Sequence, residues 1–168
     1  MASKFTSRTA WREKLEREDH SKIVQIPPRM VKRFGGGTML IPRPLDVDAL
    51  IRKTGKGSLI TTSQIRVRLA GDNKADVTCP LTTGIFIRIA AEAAEEDLRN
   101  GKKRITPYWR VVRDDGSLME KFPGGVKAQA QRLEDEGHMV EPGKGKNPPK
   151  VREVEKCLVR LATKSAKR

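Results

Sequence analysis

The residues with the most chemistry in reach are two adjacent rings, Tyr108 and Trp109, inside the run Thr106-Pro107-Tyr108-Trp109-Arg110-Val111-Val112-Arg113. A phenol ionises near pH 10 and is a poor nucleophile at neutrality, and an indole N–H only donates. What both rings offer is flat area, either to stack on a nucleic-acid base or to fill a core. Just upstream, Lys102-Lys103-Arg104 is a basic run suited to phosphate. Cys79 and Cys157 are too few for a disulfide framework or a metal site, and His20 and His138 have no carboxylate or cysteine partners at ligand spacing. No metal and no cofactor are expected.

The charge agrees with a polyanionic partner. The 168 residues carry 35 Lys+Arg against 21 Asp+Glu, a net charge of +14. The excess is uneven: 10 basic against 4 acidic residues over 1–44, 16 against 14 over 45–140, and 9 against 3 over 141–168. The pattern predicts a compact domain at 45–140 between a basic N-terminal arm (1–44) and a basic C-terminal segment (141–168). The run Glu141-Pro142-Gly143-Lys144-Gly145-Lys146-Asn147-Pro148-Pro149 reads as a linker. No apolar run approaches the roughly 20 residues of a spanning helix, and the N-terminus has no apolar signal-like stretch. A monomer in the cytoplasm, associated with the nucleoid, is the expectation.

The elements that would position these residues are mostly helices. A short helix is expected at 7–18, capped by Ser7, with Trp11 and Leu15 on one face, and a second at 46–54 capped by Asp46. Thr61-x-x-Gln64 has the form of a capping box with Ile60 and Ile65 as its hydrophobic staple. It predicts a helix over 62–70, although Ile65, Val67 and Leu69 also alternate like a strand. The longest helix is expected at 82–99, capped by Thr82, with a stripe of Phe86, Ile89, Ala90, Ala93 and Ala94. The pairs Arg88–Glu92 and Glu95–Arg99 would support it, and Asn100-Gly101 would end it. Residues 108–113 read as a strand, Asp115-Gly116 as a hairpin turn and 117–119 as its return. Helices follow at 126–136 and 151–162, the second amphipathic and a candidate surface for a protein partner. The fold class expected is mainly α with a small β-hairpin, a winged helix-turn-helix domain flanked by basic arms.

The run from Thr106 to Leu118 resembles the P-C-H-R-V-V-x-x-D-G-x-L signature of the alkylguanine-DNA alkyltransferases. The similarity continues through Gly124-Gly125, Leu133 and Glu136-Gly137. Upstream, Gly57-Ser58-Leu59-Ile60-Thr61-Thr62-Ser63-Gln64-Ile65 is similar to the family's G-x-V-T-T-Y-G-x-I, and Asn100 stands at the spacing of its hinge asparagine. The resemblance covers about 45–140. It implies a winged helix that enters the minor groove of duplex DNA and flips a damaged guanine into a pocket. The reactive cysteine and its histidine are replaced here by Tyr108 and Trp109. Repair by that family needs a thiolate generated by a neighbouring base, so no catalytic residue is assigned and no alkyl transfer is expected. The branch resembled is the alkyltransferase-like one, which lacks the cysteine and binds alkylated guanine for other repair proteins.

The resemblance also supplies the candidate contacts. Thr62, Ser63, Leu81, Thr82, Thr83, Gly84, Arg88, Lys102, Lys103 and Arg104 are the DNA-binding set, and Asn100, Pro107, Tyr108, Trp109 and Arg110 the base pocket. Leu81 falls in the slot of the arginine that fills the hole left by a flipped base, where an apolar residue would act as a wedge. Ser63 replaces a helix tyrosine, and the recognition helix is about ten residues longer than the family's. Thr82 and Thr83 serve contact or capping, Asn100 a hinge or a helix end, and Arg110 is read as structural. The acids Glu92, Glu95, Glu96 and Asp97 would confine DNA to the first turns of the helix. The partner expected is double-stranded DNA containing alkylated guanine. The alternatives are a general nucleic-acid-binding protein without base flipping, and an alkyltransferase using another thiol, Cys79.

Overall fold

The computed structural model describes residues 10–17 and 20–161. Among these the chain is mostly helical with small sheets. In chain order the elements are α1 (Trp11–Glu16), β1 (Lys22–Gln25), α2 (Pro28–Phe34), β2 (Thr38–Ile41), α3 (Pro44–Arg52), β3 (Ile60–Thr61), α4 (Thr62–Asp72), β4 (Val77–Thr78) and α5 (Pro80–Arg99). A 3-10 turn (Tyr108–Arg110), β5 (Val111–Val112), α6 (Gly125–Asp135), β6 (Val140–Glu141), β7 (Lys150–Val151) and α7 (Val154–Cys157) follow.

The capping box starts α4. The Thr61 hydroxyl accepts the Gln64 N–H at 3.0 Å, and the Gln64 side chain accepts the Thr61 N–H at 3.0 Å. Ile60 and Ile65 are both buried in the same cluster. The competing strand pattern fails because Ile65 and Leu69, four apart, face inward while Val67 faces solvent. The helix runs through Gly71 to Asp72.

Proline, not threonine or aspartate, opens α3 and α5. Pro44 and Pro80 take first-turn positions, where a missing N–H costs nothing. Asp46 therefore lies inside the first turn of α3 and binds the Arg43 guanidinium at 2.8 Å. Thr82 is not the cap of α5; its hydroxyl points at Cys79 Sγ, 3.2 Å away. The far end of α5 closes as expected. The Gly101 N–H bonds the Leu98 carbonyl and the Lys102 N–H the Asp97 carbonyl, with Gly101 at φ +90°.

Helices α3, α4 and α5 pack on one another around Ile51, Ile65, Ile87, Ala90 and Ala94. The alanines of α5 let neighbouring backbones come close. The N-terminal residues read as an arm belong to this packing. Leu15 of α1 and Leu40 of β2 are buried in the same cluster. Strand β1 pairs antiparallel with β2, and β2 pairs parallel with β4, Met39 opposite Val77. The first helix is shorter than expected, and its expected cap, Ser7, lies outside the described residues.

The wing differs from expectation. Residues 108–110 form a 3-10 turn, and only Val111–Val112 are strand, paired parallel with Ile60–Thr61. The turn at Asp115-Gly116 forms, with the Gly116 N–H on the Arg113 carbonyl at 2.8 Å. The return closes on the expected strand through one bond, the Arg113 N–H on the Ser117 carbonyl at 2.9 Å, and no ladder with β5 follows; Ser117 bridges to Lys150 instead. The expected 151–162 helix reduces to Val154–Cys157. Val151 and Val154 sit in a second buried cluster with Leu59, Val112, Leu118 and Leu133, and Leu158 bridges to Leu59. The apolar spacing there serves docking on the domain.

Thr61→Ala removes the cap that decides between helix and strand. It should cost about 1 kcal/mol and lower the midpoint of thermal unfolding by about 2–4 °C, read by circular dichroism. An unchanged midpoint would deny the box that role.

Candidate nucleic-acid interface

The first turns of α5 are its exposed part. Leu81 is 67% exposed and Ile85, one turn on, is 50% exposed. Between them Gly84 presents bare helix: a Cβ built there meets no atom within 4 Å, so internal packing does not require glycine. A glycine in a helix interior costs up to about 1 kcal/mol against alanine, which is consistent with something approaching the backbone from outside.

Beside these residues lies a cleft of about 380 Å³. One wall is α5, with Leu81, Thr83, Gly84, Ile85 and Arg88; Thr62 and Arg66 of α4 close one end; Arg113, Met119, Lys121 and Phe122 form the opposite wall. Four cations, Arg66, Arg88, Arg113 and Lys121, face one carboxylate there, Glu120. The reading from sequence included Thr62, Leu81, Thr83, Gly84 and Arg88, and missed Arg66, Ile85, Arg113, Met119, Lys121 and Phe122.

Several expected contacts are tied into the fold or lie away from the cleft. Ser63 gives its hydroxyl and its N–H to Asp114, and Arg66 donates to the Ser63 oxygen at 2.9 Å. Thr83 is buried, its hydroxyl on the Cys79 carbonyl at 2.7 Å. Lys102, Lys103 and Arg104 follow the other end of α5, whose last residue, Arg99, lies at 1.5 Å per residue about 17 Å beyond Arg88, and Lys102 binds Asp97 at 3.3 Å. Asn100 is the exposed C-cap.

The motif rings do not line this cleft. Tyr108 is 2% exposed and stands behind Phe122, edge to face at 5.3 Å. Trp109 meets Tyr108 edge to face at 5.4 Å. The Tyr108 hydroxyl donates to Glu95 at 2.7 Å, and Arg132 binds the same carboxylate oxygen at 2.7 Å while lying over the Trp109 ring at 4.3 Å. Burial, then the hydrogen bond to Glu95 and its charge, push the phenol pKa far above its ordinary value. Pro107 is buried in the same strap. Of the five residues expected to form a base pocket, Asn100, Pro107, Tyr108, Trp109 and Arg110, none lines this cleft. The polar ends of the rings found closer partners within the fold.

Arg110 and Trp109 share one carboxylate. Arg110 binds Glu136 at 2.7 and 2.9 Å and the Thr54 carbonyl at 2.6 Å, and the Trp109 N–H binds Glu136 at 3.1 Å. Burial alone would raise the Glu136 pKa, but Arg110 and then Trp109 hold it below the usual value. Gln129 of α6 completes the lock, donating to the Trp109 and Val111 carbonyls and accepting the Met119 N–H. Cys79 is buried beneath the start of α5, and His138 is buried with Nε2 unpartnered, burial lowering its pKa.

No family model matches the sequence, and no curated protein matches it. Among solved structures, a crystal structure of S. pombe Atl1 in complex with damaged DNA containing O6-carboxymethylguanine is similar at 17% identity and a TM-score of 0.49, covering 70% of this chain and 94% of that chain.

Tyr108 is the single tyrosine of the chain. An alkaline titration followed at the tyrosinate absorbance therefore reads this residue alone. The folded protein should show no ionisation step near pH 10, and the denatured chain should show one. A step near pH 10 in the folded protein would mean the phenol is not held by Glu95.

Proposed function

We propose that this protein binds duplex DNA without catalysis, through the cleft between α5 and the 113–122 segment, as a winged-helix protein of the alkyltransferase-like kind. The observation that carries the reading is the pairing of an exposed apolar edge, Leu81 and Ile85, with a cleft framed by Arg66, Arg88, Arg113 and Lys121. Cations at that density bind phosphate and make affinity fall with salt. Apolar side chains at the lip of such a surface are the kind that wedge between base steps. Helix α4, a connection over 73–79 that contains β4, and helix α5 are the segments we read as the helix-turn-helix, and α3 packs against both.

The finer part of the proposal is that the cleft receives an altered base, alkylated guanine being the one the motif resemblance implies. A cavity of about 380 Å³ suits one nucleoside, and Phe122 and Met119 give it an apolar wall. The chemistry argues against alkyl transfer. Tyr108 is a buried phenol with its ionisation suppressed, and Trp109 is no base. Cys79, the other thiol considered, is 7% exposed and held under α5. One observation favours a second reading, duplex binding without base eversion: Tyr108, in the place of the family's reactive residue, is sealed behind Phe122.

Paired duplexes with and without one O6-alkylguanine, titrated across salt, decide between these. Tighter binding to the modified duplex is expected, and mass spectrometry after incubation should show no adduct on the protein. Equal affinities would leave duplex binding and remove lesion sensing; a stoichiometric alkyl adduct on Cys79 would overturn the non-catalytic reading. Arg88→Ala and Arg113→Ala should each reduce the salt slope by about 0.9 per lost phosphate contact.

Gly84→Ala separates the DNA surface from the fold. It should raise thermal stability by up to about 1 kcal/mol while weakening DNA binding. Unchanged affinity would mean DNA does not approach α5 at that turn.

A further inference from the structure

Residues 142–149, with the composition of a linker, form the loop of a hairpin. Val140 pairs with Val151 and Glu141 with Lys150 across β6 and β7. At the tip, the Lys144 N–H bonds the Asn147 carbonyl at 3.1 Å and the Asn147 N–H bonds the Lys144 carbonyl at 2.9 Å. Gly145, at φ +57°, takes the first central position of this two-residue turn, where glycine is favoured. A Cβ on Gly143 would lie 2.5 Å from the Asn147 carbonyl oxygen, so glycine is required there as well. The tip is a defined turn that holds Lys144 and Lys146 out to solvent.

The hairpin is fastened to the cleft wall. Ser117 bridges to Lys150, the Leu118 N–H bonds the Pro149 carbonyl at 2.9 Å, and the Val151 N–H bonds the Gly116 carbonyl at 2.9 Å. Those partners belong to the turn that carries Arg113 into the cleft. The hairpin's own acid is spent: Glu141 pairs with Arg152 at 3.1 Å. Lys144 and Lys146 make no ion pair among the described residues, and Lys150 lies near Asp115.

We propose that the β6–β7 hairpin is a second phosphate-binding element, with Lys144 and Lys146 gripping the backbone of the same duplex that the cleft holds. This rests on the duplex-binding reading. The observation behind it is separate: an ordered, glycine-dependent turn whose lysines have no internal partner.

The test uses the full chain, a plain duplex and salt from 50 to 200 mM, with three proteins beside the parent: Lys144→Ala/Lys146→Ala, Lys144→Arg/Lys146→Arg, and Arg88→Ala/Arg113→Ala. The alanine pair should lose about 1.8 from the salt slope, so that the parent's affinity falls about twelve-fold further than the variant's across that range. The arginine pair should keep the parent's slope. A parent slope in the alanine pair, with a reduced slope in the cleft pair, overturns the hairpin proposal and leaves the cleft. The reverse result keeps the hairpin and removes the cleft. No salt-dependent binding by the parent overturns both.

Discussion

Three consecutive carboxylates near the end of α5 organise the molecule. Residues in sequence are about 100° apart around a helix, so Glu95, Glu96 and Asp97 point in three directions and each collects a different element. Glu95 takes the Tyr108 hydroxyl and Arg132 of α6. Glu96 accepts the N–H groups of Trp11 and Arg12, the free donors at the start of α1, which has no side-chain cap of its own. Asp97 binds Arg12 and Lys102; burial would raise its pKa, but those two cations hold it below the ordinary value. The fan gives the N-terminal helix and the 106–110 segment their polar anchors on α5, beside the apolar packing of Leu15 and Tyr108.

That arrangement divides α5 by task. In its last turns Glu95 and Asp97 are matched by cations and Glu96 by backbone N–H groups, so three of the acids that by sequence alone would repel phosphate are engaged within the fold. In its first turns Thr83 and Ile87 are buried, while Leu81, Gly84, Ile85 and Arg88 face outward. Around the cleft Arg66, Arg88, Arg113 and Lys121 outnumber the carboxylate of Glu120, while at the far end of α5 Glu95 and Asp97 are neutralised by Arg132, Arg12 and Lys102. Long-range attraction of a polyanion follows from that segregation.

The segment resembling a repair signature has been given a structural task. Burying the Arg110–Glu136 pair costs desolvation, and it is tolerable because the geometry is bidentate and the remaining bonds go to Thr54 and Trp109. Gln129 binds two carbonyls of the same strap, so backbone and side chains are satisfied together. Phe122, Tyr108 and Trp109 form an edge-to-face series behind the cleft, a rigid backing rather than a reacting centre. Rigidity there lowers the entropy cost of holding whatever enters the cleft.

What the sequence determined was local. The Thr61–Gln64 box, the Asn100-Gly101 end of α5 and the turn at Gly116 each rest on bonds spanning a few residues, and all three are legible as strings. Thr82 misled because Pro80 pre-empts its position, a competition also local but missed. Tertiary structure decided what short-range rules do not reach. Met39 pairs with Val77 and Ser117 with Lys150, in strands too short to show any periodicity. Whether Tyr108 lined a pocket or filled a core depended on Glu95 and Arg132, 13 positions upstream and on another helix. Arg113, Lys121 and Phe122 became neighbours of Arg88 only when two distant segments packed, since a cleft is a relation between elements and no single element carries it.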